Sequence, residues 1–204
     1  MPLFSGGAPS MLKPEIPRLE FDELPDSIAR RLRDKYERLG YLGEFFAATA
    51  HQEAALAAFI DFTEASKGEL DIRLVELVVL TVACLERVDY ERNQHERLAL
   101  KLGLPRRWVA EVERLDPDRA RLDEQEKIVQ RFVLIAVERR GRDVSSELSA
   151  VVDELGYRDA VAVLMLMARY VAHALLVNSL GIAAPVPSIF AEPSMPGADE
   201  EHKP

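Results

Sequence analysis

The sequence predicts an all-α protein, and three observations support this fold class. Between about residues 26 and 184 the apolar residues recur mostly at helical spacing, no stretch shows the sustained alternation of a half-buried strand, and capping residues, glycines or prolines mark most expected helix ends. The 204 residues, 48% of them hydrophobic, suffice for one domain with a substantial core. We therefore expect one helical bundle built around a central hairpin.

The first expected helices lie between Asp26 and Gly68. Asp26 is a suitable cap for a helix that Gly40 would end. A second helix is expected from about Gln52 to Ser66, with one apolar face and an end near Gly68. These two helices form the start of the domain.

The central hairpin is expected next. Asp71 is a plausible cap for a helix whose residues are apolar on all sides, as in the centre of a core. Asp89 is a plausible cap for the following helix, which would run to Gly103. Pro105 can then open a short helix that contains Trp108 and Val109.

The second half predicts three further helices, at about Asp123 to Arg140, Val144 to Leu155 and Tyr157 to Leu180, with Gly181 after the last. Superposing Gly103 on Gly181 suggests duplicated helix ends, although leucine before glycine is also an ordinary way to end a helix. The matching pairs are His95 and His173, Leu98 and Leu176, and Leu102 and Leu180.

Proline is concentrated at the two ends of the chain. Residues 1–25 contain five prolines and residues 185–204 contain five more, a density that prevents long helices. We expect an extended N-terminal arm over residues 1–25, a helical domain over residues 26–184, and a flexible tail over residues 185–204. The arm and the tail are also candidates for contacts in an assembly.

Composition narrows the classes of partner and the compartment. A formal net charge of −9 opposes binding to nucleic acid. Residues 1–25 lack the basic start and continuous apolar stretch of a signal peptide, and we expect that no segment approaches the roughly 20 apolar residues that span a bilayer. Cys84 is the single cysteine, which rules out an internal disulfide. The expectation is a cytoplasmic protein that binds neither nucleic acid nor a membrane.

Three ionisable residues of the predicted hairpin form the candidate catalytic group. Glu91 and His95 are four residues apart, so they share one helix face and form a usable proton-transfer pair. Glu76 lies in the most apolar stretch, where an ionised carboxylate needs a partner, and the adjacent helix offers His95 or Glu91. The alternatives are a surface pair for Glu91 and His95, and a Glu76 side chain that reaches solvent or Arg73.

Residues 70–104 read LDIRLVELVVLTVACLERVDYERNQHERLALKLGL. In order and spacing this stretch resembles the signature hairpin of the carboxymuconolactone decarboxylase and alkylhydroperoxidase D-like superfamily. Arg73 and Glu76 resemble its early Arg and Glu, and Tyr90, Glu91 and His95 resemble its Tyr-Glu-Trp-x-x-His segment. The resemblance extends more faintly from about Tyr41 to Gly181.

The resemblance implies a decarboxylase-like protein without a thiol pair. Peroxidase-type members carry Cys-x-x-Cys before the histidine, whereas this chain has Val88 and Glu91 there. The decarboxylase branch has Glu at the position of Glu91 and uses no cofactor. The reaction implied is loss of carbon dioxide from a small carboxylated, lactone-like or aromatic-derived substrate, with Glu91 or His95 steering a proton and Glu76 orienting the histidine. Arg92 stands where the family has Trp.

We predict Tyr90, Arg92, Tyr170 and His173 as substrate-binding residues. The alternatives are a packing or surface role for Tyr90, a salt bridge with Glu96 for Arg92, and a core histidine for His173. The family resemblance implies a homo-oligomer, either a trimer or a hexamer. Two other functions remain open. One is a non-catalytic ligand-binding or scaffold protein, and the other is a metal site built from Glu76, Glu91, His95 and His173, which the missing Glu-x-x-His repeat disfavours.

Overall fold

The all-α prediction is confirmed by the computed structural model, which describes residues 16–68 and 70–191. Within this part of the chain a short 3-10 helix at Phe21–Glu23 precedes eight α-helices, and no strand is present. The helices are α1 Asp26–Leu39, α2 Glu44–Thr49, α3 Glu53–Lys67, α4 Ile72–Leu85, α5 Asp89–Lys101, α6 Arg106–Glu113, α7 Glu124–Glu138 and α8 Ser145–Ser179.

Helix α4 is the centre of the fold, as its composition predicted. Every residue from Leu74 to Ala83 is buried, and the helix packs against α5, α6, α7 and α8. The Asp71 side chain caps its start by accepting a hydrogen bond from the Arg73 backbone N–H at 2.8 Å. A short connection after Leu85 leads into α5, so the expected hairpin is present.

Two apolar clusters hold the bundle together. The larger cluster joins α4, α6 and α7 to the middle of α8, with residues such as Leu77, Phe132 and Leu166 completely buried. The smaller cluster joins α1, α2 and α3 to the C-terminal end of α8, with Ile28 and Phe45 at its centre. Because the smaller cluster also contains Val88 and Tyr90, the C-terminal end of α8 lies beside the start of α5.

Local predictions were confirmed at several helix ends and wrong at others. Gly40 ends α1 in the left-handed conformation, and Asp123 caps α7. Asp26 and Asp89 are the first helical residues rather than caps, since neither side chain bonds a backbone N–H there. As acids in the first turn, they are still stabilised by the positive end of the helix dipole. Helix α2 was not predicted.

The two predicted C-terminal helices form one element with a break at Gly156. Its backbone angles, φ 80° and ψ 168°, are not helical and favour glycine. The suggested duplication of helix ends has a local counterpart, because Gly103 and Gly181 are both left-handed.

The expectation that no segment approaches a membrane-spanning length is wrong for α8. By length and composition this helix could cross a bilayer, and its most apolar 18-residue window has a mean hydropathy of 2.0. Half of that window is buried inside the fold, as in the core helix of a folded domain. The other side of α8 leaves an apolar row exposed, comprising Tyr157, Val161, Met165, Leu175 and Leu176.

The terminal segments are described only in part. Residues 1–15 of the predicted arm and 192–204 of the predicted tail lie outside the described residues. Residues 186–190 form a strap along α5, in which Asn93 Nδ2 donates to the Val186 carbonyl at 2.8 Å and the Ile189 N–H donates to Glu96 at 2.7 Å.

Candidate active site

Four of the predicted residues form a continuous chain of carboxylates and imidazoles. His95 Nδ1 lies 2.8 Å from Glu76 Oε2, and His95 Nε2 lies 3.3 Å from Glu91 Oε1. The other oxygen of Glu91 lies 3.3 Å from His173 Nδ1, within ion-pair distance but not aligned as a hydrogen bond. Glu91 therefore connects two histidines, and Glu76 supports one of them.

Three helices position this chain of groups. The buried α4 helix carries Glu76, which is 1% exposed and directed at α5 rather than at solvent. The one-turn spacing on α5 places Glu91 and His95 on the same face. The C-terminal half of α8 brings in His173, whose ring packs edge-on against Phe45 with centroids 4.3 Å apart. The surface-pair alternative for Glu91 and His95 is therefore wrong.

The groups have different protonation tendencies. Burial would lower the pKa of His95, but Glu76 and Glu91 outweigh it and raise the pKa above its ordinary value. Burial lowers the pKa of His173 to about 4, against the attraction of Glu91. Burial would raise the pKa of Glu91, but the neighbouring histidines and Arg169 lower it overall. Near neutral pH His173 is uncharged, so His95 and Arg169 supply the positive charge that keeps Glu91 ionised.

The reactive groups face a cavity of about 440 Å³, a size that suits a small metabolite. Glu91, His95 and His173 belong to its wall, whereas Glu76 lies behind His95. Aromatic and apolar side chains also line the cavity, namely Leu39, Tyr41, Phe45, Phe46, Tyr90, Leu98 and Val186. The cavity thus joins an ionisable group to an apolar surface.

The two predicted tyrosines have different positions. Tyr90 lines the cavity, and its phenol oxygen lies only 2.8 Å from where a Cβ atom of residue 43 would be, so Gly43 permits this approach. Tyr170 lies beneath the cavity wall, with its ring edge-on to both His95 and His173 at centroid distances of 5.7 Å and 6.4 Å. Tyr170 thus orients the histidines by packing.

The prediction that Arg92 binds substrate is not supported by its position. Its guanidinium pairs with Asp89 at 2.9 Å and with Glu96 at 3.4 Å, and it is not part of the cavity wall. Both partners lie three or four residues away on α5, so local helix pairing directs the side chain away from Glu91. The suggested Arg73 partner of Glu76 is also absent, since Arg73 pairs with Glu126 at 2.7 Å.

Sequence analysis missed the basic side chains of the cavity. Six of them line it, namely Lys35, Arg38, Lys67, Arg97, Lys101 and Arg169. They come from four helices, so no local spacing connects them. The one available signal was an arginine in the apolar stretch that forms α8, since a buried charge requires a partner or a ligand.

Thiol chemistry receives no support from the position of Cys84. This cysteine is not part of the cavity wall, and burial raises the pKa of its thiol to about 12. Among residues 16–68 and 70–191 no group of three or more His, Cys, Asp or Glu side chains is arranged to hold a metal ion. The metal-site interpretation therefore has no support in this part of the chain.

Comparison with known proteins agrees with the hairpin resemblance. Residues 52–117 match the carboxymuconolactone decarboxylase family. The alkylhydroperoxidase AhpD core of an uncharacterized peroxidase-related protein from Ralstonia eutropha JMP134 is similar in structure, with a TM-score of 0.72 and 18% identity over 82% of this chain and 90% of that chain. A comparison with curated protein sequences gives no significant match.

A second solved structure gives the same picture. An uncharacterized peroxidase-related protein from Silicibacter sp. TM1040 has a TM-score of 0.69 and 16% identity over 85% of this chain and 95% of that chain. At these identities the structures establish the fold, and the family match covers the hairpin that carries Glu76, Glu91 and His95. Together they show that the chain shares this fold and that its residues 52–117 are similar to the carboxymuconolactone decarboxylase family.

Proposed function

We propose that the protein is a cofactor-independent enzyme that transfers a proton to or from carbon in a small carboxylated, lactone-like or aromatic-derived metabolite, as in decarboxylation. The observation that carries this proposal is the bridging position of Glu91, between His95 and His173 and in the wall of the cavity. A carboxylate there can exchange a proton with a protonated imidazole on one side and with a bound substrate on the other.

The proposed reaction balances without an oxidant or a metal. The bond between the substrate carbon and its carboxylate breaks, carbon dioxide leaves, and the electron pair moves into the conjugated carbonyl. A proton then passes from the His95–Glu91 pair to that carbon, and solvent restores it. Glu76 keeps His95 charged and oriented, in the manner of the carboxylate behind a catalytic histidine.

The test measures carbon dioxide release and solvent deuterium incorporation with γ-carboxymuconolactone and a panel of related lactone and β-keto acids. Glu91→Gln is expected to lower kcat/KM by about 100-fold or more, because a positioned proton-transfer group contributes about that much. Glu138→Gln, an exposed carboxylate in the last turn of α7, is the matched control and retains turnover. Circular dichroism checks that both variants stay helical.

Turnover that survives in Glu91→Gln would contradict the catalytic role of this residue. If wild type binds a member of the panel but turns none over, the result would favour the non-catalytic ligand-binding alternative over the enzyme. Thiol-dependent peroxidase activity is disfavoured, because the positions of the two family cysteines are Val88 and Glu91 and because Cys84 does not line the cavity.

We also propose that the protein is a homo-oligomer in which the exposed apolar row of α8 contacts another copy of the chain. Tyr157 and Leu175, at 82% and 68% exposed, are the two most exposed residues of this row. Light scattering at micromolar concentration is expected to give the mass of a trimer or a hexamer, and Leu175→Glu is expected to lower this mass. A wild-type mass near 23 kDa, the mass of one chain, would contradict the proposal.

A further inference from the structure

The cavity is strongly basic in a protein of acidic composition. Six of its wall residues are Lys or Arg and two are Glu, whereas the whole chain carries a net charge of −9. Surface cations can be solvated individually, but cations that converge on one concave wall repel each other unless an anion joins them. The most buried member of this group is Arg169, which is 6% exposed.

Among residues 16–68 and 70–191 no carboxylate forms an ion pair with Arg169, which is held in place by other contacts. Its Nε donates to Thr63 Oγ1 at 2.7 Å, and its guanidinium lies 4.2 Å from the centroid of the Tyr170 ring and 4.8 Å from that of Phe59. Its Nη1 is buried, and no hydrogen-bond acceptor is available to it among the described residues. A guanidinium fixed on one edge and unsatisfied on another is costly unless a ligand satisfies it.

Glu91, a carboxylate of the same cavity wall, is already engaged. Glu91 is close enough for Arg169 to lower its pKa, but its two oxygens face His95 and His173, and no ion pair joins it to Arg169. Lys35 adds a second cation on the same wall, with its Nζ 4.7 Å from the Phe46 ring centroid. Although Lys35 is exposed as a residue, burial of its ammonium group and the neighbouring Lys67 and Arg169 lower its pKa.

We infer that Arg169, with Lys35 and Lys67, forms an anion-binding subsite that anchors a carboxylate of an organic ligand in the cavity. A guanidinium fits a planar carboxylate, and the two lysines add point charges at the wall. The aromatic residues of the same cavity wall would cover a flat, apolar ligand body. The inference deepens the proposed function, since it specifies what holds the substrate while Glu91 reacts.

The test is equilibrium binding of benzoate by titration calorimetry at low ionic strength, with benzamide as the neutral isostere. Wild type is expected to bind benzoate at least about tenfold more tightly than benzamide, and Arg169→Gln is expected to lose about tenfold or more of the benzoate affinity. Lys35→Gln is expected to lose a smaller factor, about threefold to tenfold. Lys127→Gln removes the same charge from α7, outside the cavity, and is expected to bind as wild type does.

Equal binding of benzoate and benzamide by wild type would overturn the subsite, as would wild-type affinity in both Arg169→Gln and Arg169→Lys. If the Arg169 variants do not fold, an unchanged Kd in Lys35→Gln overturns it. Glu91→Gln is expected to keep or improve benzoate binding, because it removes a negative charge from the wall. Selective benzoate binding without turnover of any panel member would therefore contradict the proposed function alone. Turnover that depends on Glu91, together with equal binding of benzoate and benzamide, would contradict the subsite alone.

Discussion

Two carboxylates of α5, the half-buried Glu91 and the buried Glu96, are five residues apart and lie in opposite environments. Glu91 faces two histidines and a guanidinium, which lower its pKa. Glu96 accepts hydrogen bonds from Ser188 Oγ and from the Ile189 backbone N–H, and it pairs with Arg92. It also lies beside Glu113, whose pKa is raised to about 8 by burial and by this neighbouring carboxylate. One carboxylate faces a cavity, and the other fastens the C-terminal strap.

The comparison shows how burial alone fails to identify a catalytic acid. Burial raises the pKa of both Glu91 and Glu113, and the charges of the neighbouring groups decide the outcome. At Glu91 positive groups outweigh burial, so an ionised carboxylate is ready to exchange protons with His95. At Glu113 a second carboxylate adds to burial, so a proton is retained as part of the structure.

The largest expected effect comes from Glu76→Gln, which tests whether His95 depends on the carboxylate behind it. The charge of Glu76 raises the pKa of His95, so its removal is expected to lower that pKa and to reduce kcat by about 100-fold. NMR titration of the His95 ring measures the first effect without substrate. Glu126→Gln is the control, because it also alters a buried carboxylate but leaves the His95 titration unchanged. An unshifted His95 in Glu76→Gln would contradict this role.

Glu96→Ala is expected to have the next largest effect. It lowers the stability of the strap at residues 186–190 and does not alter the proton-transfer groups. The change removes the acceptor for Ser188 and Ile189 and leaves Arg92 with Asp89 alone, which is expected to cost about 2–4 kcal/mol of unfolding free energy. Hydrogen exchange at the Ile189 amide is expected to accelerate. Ser188→Ala removes one of these bonds and serves as the milder control. Unchanged protection of Ile189 in Glu96→Ala would mean that Glu96 does not hold the strap.

Glu113→Gln is expected to have the smallest effect, and the effect depends on pH. The pKa of Glu113 is raised from 4.5 to about 8. Its protonation therefore contributes to the free energy of unfolding in full below pH 4.5, and this contribution is lost as the pH rises through 8. The variant cannot ionise, so near pH 9 it is expected to be more stable than wild type by about 1 kcal/mol, or a few degrees in Tm. Near pH 5 the two proteins are expected to unfold together. A Tm difference that does not depend on pH would contradict the raised pKa.

Sequence analysis was most successful where the contacts are local. The apolar pattern of α4, the spacing of Glu91 and His95, and the short connection between the helices predicted that Glu76 meets His95 or Glu91, and its partner in the structure is His95. The substrate-binding role predicted for Arg92 is not supported, because two acids within about one turn of α5 pair with its guanidinium, and the alternative salt bridge with Glu96 is the contact present. Helix α2 has only six residues, too few for a periodic pattern to be recognised.

The remaining parts of the site depend on contacts between distant segments. Arg169 on α8 meets Thr63 on α3, 106 residues earlier, and Lys35 reaches the same wall from α1. The Glu96–Glu113 pair joins α5 to α6. None of these pairs has a spacing that a periodic pattern could reveal. In the sequence, only the similarity between the two helix ends suggested a role for His173. In the fold, His173 contacts Glu91, which no sequence spacing indicates.

The most direct test of the difference between the two carboxylates is an infrared spectrum of the protein in D2O near pH 6. If Glu113 is protonated and Glu91 is ionised, the spectrum contains a carboxylic acid C=O band from Glu113. This band is expected to disappear in Glu113→Gln and to persist in Glu91→Gln. If the band instead disappears in Glu91→Gln and persists in Glu113→Gln, Glu91 holds its proton at rest, and the assignment of an ionised Glu91 facing a charged His95 is wrong.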